Sequence, residues 1–135
     1  MNILEVRDLE KSYPDPESDK NLKAVDGISI TLEKVQIYGI LGPNGAGKTT
    51  TLEMIEGLTD IDGGYATVNG INVADNPFAV KEIIGVQLQS NEYFDSLSLK
   101  ELLTLFGKLY QNNVDPKRLL TKVDLLEKIN SKPEE

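Results

Sequence analysis

The sequence has neither cysteine nor histidine. The first absence excludes disulfides and thiolate metal sites; the second removes the commonest general base and metal ligand, so thiol and imidazole chemistry are both ruled out within this chain. Positive charge is also scarce. Against 22 Asp and Glu stand 14 Lys and Arg, a formal net charge of −8, and no basic run offsets it locally. Such a surface repels a polyanion, so nucleic acid is not expected as a direct partner. Long apolar runs are missing too: no stretch approaches the ~18 apolar residues of a membrane span, and acidic residues interrupt the N-terminus where a signal peptide needs an apolar segment. A cytosolic chain is expected, with a membrane-embedded partner left open.

What is present is 135 residues with 39% hydrophobic content, enough for one compact domain with a core and too few for two ordinary ones. Ile3 to Leu9 alternates apolar and charged residues, as a part-solvated strand does. Tyr13 to Asn21 holds two prolines among polar residues and reads as an exposed loop. Val25 to Leu32 and Gln36 to Leu41 are β-rich; the second, a nearly unbroken apolar run stopping at glycine, predicts a buried central strand. Asn69-Gly70 between two alternating runs predicts a tight antiparallel hairpin over Tyr65 to Val73, since both turn positions favour positive φ.

Asn76-Pro77 predicts a capped short helix leading into Ile83 to Gln89, a candidate second core strand. Ser98 and Glu101 form a capping box ahead of Leu99, Leu102, Leu103, Phe106 and Leu109 at helical spacing. Asp115-Pro116 caps a second amphipathic helix expected to run through Leu119, Val123, Leu126 and Ile129. The C-terminal third is therefore helical.

The chemistry sits in Gly42-Pro43-Asn44-Gly45-Ala46-Gly47-Lys48-Thr49, which satisfies the phosphate-binding loop pattern between a predicted strand and a predicted helix. Glycines let successive backbone N–H groups converge on an anion at the positive end of a helix without a Cβ in the way. Lys48 then reaches the β- and γ-phosphates. Thr49 offers a hydroxyl to Mg²⁺, which takes oxygen ligands only, and Thr50 is placed to hydrogen-bond the α-phosphate. The bland reading is a glycine-rich turn, but an ordinary chain of this length matches the pattern by accident in roughly half a percent of cases.

The fuller string Leu41 to Leu52 resembles the Walker A segment of the ATP-binding-cassette (ABC) family residue for residue. Lys11-Ser12-Tyr13 resembles that family's aromatic adenine-stacking loop, and Ile84 to Gln89 resembles the strand that ends at its Q-loop. The resemblance covers essentially the whole chain and implies an incomplete α/β P-loop NTPase fold of ABC type. Its parts would be an antiparallel β-subdomain, the Walker A strand and helix, the Q-loop strand and the start of the helical subdomain. Residues 1–89 would be the nucleotide-binding part and 90–135 the helical start.

By the same resemblance Tyr13 stacks on adenine, although a tyrosine shielding a strand edge explains the same letter. Gln89 would complete the Mg²⁺ shell and sense the γ-phosphate, with Gln87 as the rival in the same strand. Asn91 to Leu105 would face the coupling helix of a transmembrane permease; a solvated helix with an apolar core face accounts for the residues equally. The implied cofactors are ATP and Mg²⁺. The implied partners are the permease and a second nucleotide-binding domain, with the chain peripheral to the inner face of the cell membrane. The wording of the motifs is most similar to exporter cassettes of drug, antibiotic and sodium efflux. Two departures stand out. Val35 occupies a turn where the family usually has glycine, which would strain that turn, and the loop from Asp15 to Asn21 is longer than usual.

Hydrolysis in the family requires a Walker B aspartate, an adjacent glutamate, a switch histidine and a Leu-Ser-Gly-Gly-Gln signature, none of which occurs here. No catalytic set is complete, Lys48 and Gln89 being its only contributors. Phosphoryl transfer depends on positioning and charge stabilisation, so a cradle without a water-positioning residue should bind far better than it turns over. The strands that would flank Gln36 to Leu41 in the family's sheet are expected beyond residue 135, which would leave apolar edges unpaired. Two alternatives have the same nucleotide site: a non-hydrolytic ATP-binding truncation, and a cassette ATPase of DNA repair or ribosomes. The acidic charge and the lack of a long coiled-coil insertion oppose the latter.

Overall fold

The computed structural model describes residues 2–17, 19–87, 94 and 96–133. The chain divides into two units, Met1–Gly85 and Val86–Glu135.

The first unit is built on a four-stranded antiparallel sheet of β1 (Asn2–Pro14), β2 (Asn21–Glu33), β3 (Gly63–Val68) and β4 (Ile71–Asn72), in spatial order β2-β1-β3-β4. Strict alternation along β1 would bury Val6 and then Asp8, yet it is Val6 and Leu9 that are buried. Asp8 sits at φ 46 and adds one residue to β1: Val6 pairs with Ile30 and Leu9 with Ile28. The same extra residue appears opposite β3, between Arg7↔Tyr65 and Glu10↔Gly63. This bulge returns an apolar side chain to the core face and keeps the aspartate in water.

The predicted hairpin forms. Asn69 (φ 50) and Gly70 (φ 81) supply the two left-handed turn positions between β3 and β4. Helix α1 (Lys48–Ile55) ends in a Schellman turn, with Gly57 at φ 69, Leu58 N–H donating to Glu53 O at 2.8 Å and Gly57 N–H to Met54 O at 3.2 Å. Helix α2 (Pro77–Ile83) starts as expected, the Asn76 side chain accepting from Ala79 N–H at 3.2 Å. Met54 of α1 and Val80 of α2 close over Val6, Leu9, Val25, Ile30, Ala66 and Val68 to make the core.

Several expectations are corrected. Strands β1 and β2 run through Pro14 and from Asn21, so the proline-rich loop shrinks to residues 15–20. Gln36 to Leu41 is not a strand: Ile37 and Leu41 stand 101% and 95% exposed, and only Ile40 packs on the core. A strand is one side of a hydrogen-bonded pair, and among the described residues the sheet is complete without this segment. Ile83 to Gln89 is likewise no strand as far as Gln87: Ile83 ends α2 and residues 84–87 are irregular, for the same want of a ladder. Leu88 and Gln89 lie outside the described residues.

Val35 bears out the expected strain. It adopts φ 67, a left-handed conformation costly for a β-branched residue, while its side chain is fully exposed and packs on nothing. Val35→Gly is therefore expected to stabilise the first unit by about 0.5–1 kcal/mol, the relief of strain being partly offset by glycine's freedom in the unfolded chain. Thermal melting checks this; an unchanged or lower midpoint would show the turn to be unstrained.

In the second unit, helix α3 (Leu99–Leu109) opens with the predicted capping box. The Ser98 hydroxyl accepts from Glu101 N–H at 3.4 Å, and the Glu101 carboxylate accepts from Ser98 N–H at 2.9 Å. The carboxylate also accepts from the Ser98 hydroxyl at 2.7 Å, and the two bonds it receives from Ser98, the backbone one first, hold it below its usual pKa. Leu99 and Lys100 N–H donate to the carbonyls of Ser131 and Ile129, satisfying first-turn donors that a helix leaves open. Helix α4 (Pro116–Lys122) has the expected Asp115 cap but stops short of Val123 and Ile129. Asp124 at φ 56 breaks it, and Leu126–Lys128 forms only a 3₁₀ turn.

Candidate functional site

The loop from Gly42 to Gly47 is exposed apart from a half-buried Gly47, and it feeds directly into α1. Gly45 (φ 81) and Gly47 (φ 80) both take left-handed backbone, which lets the chain curl within a few residues, and Ala46 N–H closes the curl on Pro43 O at 3.3 Å. Gly47 is the N-cap residue of α1 and contributes no side-chain cap. The N–H groups of Lys48, Thr49 and Thr50, in the first turn, have no intrahelical acceptor by the geometry of a helix. Gly47 also fixes where this helix end sits. A Cβ there would lie 2.2 Å from Ala24 O and 3.2 Å from Val25 Cγ2, so the loop rests directly on β2.

Lys48 turns back over this loop, its ammonium donating to Gly42 O at 2.8 Å and Pro43 O at 2.7 Å. Among the described residues no carboxylate forms an ion pair with it. Thr51 is fully buried and donates its hydroxyl to Gly47 O at 2.8 Å, which ties the loop's last residue to the helix from inside. Thr49 is exposed and Thr50 half-buried. A cation with no carboxylate partner among the described residues, helix-start N–H groups left open by helix geometry and the positive end of α1 meet at this loop, a chemistry suited to an anion although the chain as a whole is acidic.

Tyr13 is carried at the end of β1, 38% exposed, paired with Leu22 of β2. Ala24, two residues further along β2, is the residue on which Gly47 rests, so one strand supports both Tyr13 and the loop. Gln89 lies outside the described residues, and Gln87 is exposed. Among the described residues no group of three or more acidic side chains is placed to hold an ion. The exposed Thr49 hydroxyl fits Mg²⁺ as one oxygen donor to an ion held mainly by phosphates and water.

One further residue, Asp62, escaped the reading of the sequence, and it braces the Lys11-Ser12 pair that precedes Tyr13. Lys11 Nζ donates to Asp62 Oδ1 at 2.8 Å, and Ser12 N–H donates to Asp62 Oδ2 at 2.8 Å. The Lys11 ammonium also lies over the Tyr13 ring, 5.6 Å from its centroid. The bond from Lys11, followed by that from Ser12, holds the Asp62 carboxyl below its usual pKa, and the bond to Asp62 raises that of Lys11. The one signal in the sequence is an aspartate directly before Gly63-Gly64, where a strand begins.

Comparison with known proteins bears on this geometry. The ABC transporter family model matches residues 25–135. The ABC transporter ATP-binding protein NatA of Bacillus subtilis (strain 168) is 39% identical over 112 residues, 82% of this chain and 45% of NatA. The linearmycin resistance ATP-binding protein LnrL of the same organism is 37% identical over 108 residues, 80% of this chain and 33% of LnrL. A solved ATP-binding subunit of an ABC transporter superposes with a TM-score of 0.78 at 25% identity, covering 98% of this chain and 55% of that one. The chain belongs to the ABC transporter family, as part of its ATP-binding domain, and its fold is the corresponding portion of an ABC-type α/β P-loop domain. It spans less than half the length of these two relatives. Among the described residues no helix is long and apolar enough to cross a membrane.

Proposed function

We propose that this chain is the phosphate-gripping part of an ABC transporter's ATP-binding subunit. Gly42, Pro43, Asn44, Gly45, Ala46 and Gly47 form the backbone cradle. Lys48 contacts the β- and γ-phosphates, Thr49 shares Mg²⁺ with them, Thr50 reaches the α-phosphate and Tyr13 stacks on adenine. Gln89 is read as the γ-phosphate sensor and second Mg²⁺ ligand. Residues 1–89 are taken as the nucleotide-binding part and 90–135 as the start of the helical subdomain. Mg²⁺, when bound, neutralises phosphate charge; the chain's own residues bind, orient and hold the nucleotide.

The observation that carries this reading is the Lys48 ammonium, with no carboxylate partner among the described residues, folded over the loop that leads into the open first turn of α1. In a complete subunit, ATP binding and hydrolysis would power export through a transmembrane permease, with a second nucleotide-binding domain closing over the nucleotide. The similarity to a linearmycin resistance ATP-binding protein supports export. This chain alone, without a water-orienting residue, binds without turning over.

Calorimetric titration tests the reading. Mg-ATP should bind saturably while phosphate release stays at the level of buffer. Absence of binding heat would refute the nucleotide assignment, and steady turnover would refute the non-hydrolytic one.

A further inference from the structure

The β1·β3 ladder ends at Glu10↔Gly63, before the chain reaches Tyr13. Beyond that point β1 would be held from the β2 side alone. Asp62 extends the hold. Its N–H donates to Glu10 O at 3.1 Å, and its two carboxylate oxygens accept from Ser12 N–H and Lys11 Nζ, both at 2.8 Å. The carboxylate thus stands in for the backbone carbonyl that another strand residue would have offered. The Lys11 side chain is only 12% exposed while that of Asp62 is 42% exposed, so it is the ammonium end of the pair that is sheltered from water. The same ammonium rests over the ring of Tyr13, a residue that is still 38% exposed.

We infer that Asp62 is a positioning residue for Tyr13. By bracing Lys11 and Ser12 it fixes the end of β1, keeps an ammonium over the Tyr13 ring and leaves the exposed part of that ring to stack against a planar base. The inference rests on the reading of Tyr13 as the base contact. It adds that the ring's usefulness depends on a residue about 50 positions away in sequence that does not itself touch the nucleotide.

The test compares ATP with inorganic triphosphate, each with Mg²⁺, on the full chain and on Tyr13→Ala, Asp62→Ala and the double variant. Base–aromatic stacking sets the scale: Tyr13→Ala should weaken ATP by roughly five- to a hundredfold and leave triphosphate unchanged. Asp62→Ala should forfeit part of that, about threefold or more on ATP alone. It should add nothing once Tyr13 is gone, an outcome that a purely structural role would not produce.

Equal weakening of ATP and triphosphate, no weakening at all, or an Asp62→Ala effect that persists in the Tyr13→Ala background would each overturn the positioning role. If Tyr13→Ala itself fails to separate ATP from triphosphate, the adenine assignment is what falls, and the Asp62 inference goes with it. Asp62→Asn keeps an oxygen for Ser12 and drops the charge; it is read in the same way should the alanine variant fail to fold.

Discussion

Lys48→Ala should abolish measurable Mg-ATP binding. The ammonium is the one positive side chain at the loop, and a charge-assisted contact to phosphate shielded from water is worth about 2–5 kcal/mol, a loss of roughly thirtyfold to several thousandfold. The fold should survive. Lys48 bonds only exposed loop carbonyls, so the melting midpoint should move by no more than a surface substitution moves it, about 0.5 kcal/mol. Undiminished affinity in a calorimetric titration would remove Lys48 from the site, and with it the observation on which the functional reading leans.

Gly47→Ala should be the most damaging single methyl in the loop. At φ 80 the residue already favours glycine, and the added Cβ would meet Ala24 O at 2.2 Å, a backbone atom of β2 between its Lys23 and Val25 pairs with β1 rather than the free end of a side chain. The αL penalty of about 1–2 kcal/mol then adds to the clash, for an expected loss of ~3 kcal/mol and a melting midpoint lower by roughly 10 °C or more. Gly45 is the internal control: φ is 81, but nothing lies within 4 Å of its would-be Cβ. Gly45→Ala should therefore cost only the backbone term, about 1 kcal/mol. Melting curves of the two variants decide the matter; equal losses would show that contact with β2 does not seat the loop.

Features specified by neighbouring residues were readable in advance. Asn69-Gly70 dictates its turn because both residues tolerate positive φ, Ser98 and Glu101 cap each other across one helical turn, and Asn76-Pro77 starts α2. The left-handed curl through Gly45 and Gly47 belongs with these, since glycines within a few residues of one another allow it. Features that depend on distant partners were not readable. Gln36 to Leu41 has the composition of a buried strand, but a ladder needs a second segment, and no described one pairs with it. Lys11 and Asp62 lie 51 positions apart, and nothing local marks either as the other's partner. Asp124 ends α4 through a left-handed backbone that an aspartate tolerates but does not announce. Val35 was legible through the resemblance, which implies glycine in that turn, and its φ of 67 is the left-handed conformation that glycine adopts at no cost.

The additional residue at Asp8 decides which changes of chain length this domain can absorb. Pro16, Glu17 and Asp19 are exposed between the ends of β1 and β2, so a change of length there alters a connection whose closure entropy grows slowly with length and leaves the facing of both flanking strands intact, at the cost of the Asp15 N–H to Lys20 O bond. A single deletion between Val6 and Leu9 would rotate everything downstream by half a pleat. Leu9 would turn to water, and the Tyr13 ring would point to the opposite side of the sheet. Drift in length is tolerated at the tip of this hairpin and forbidden a few residues from its start.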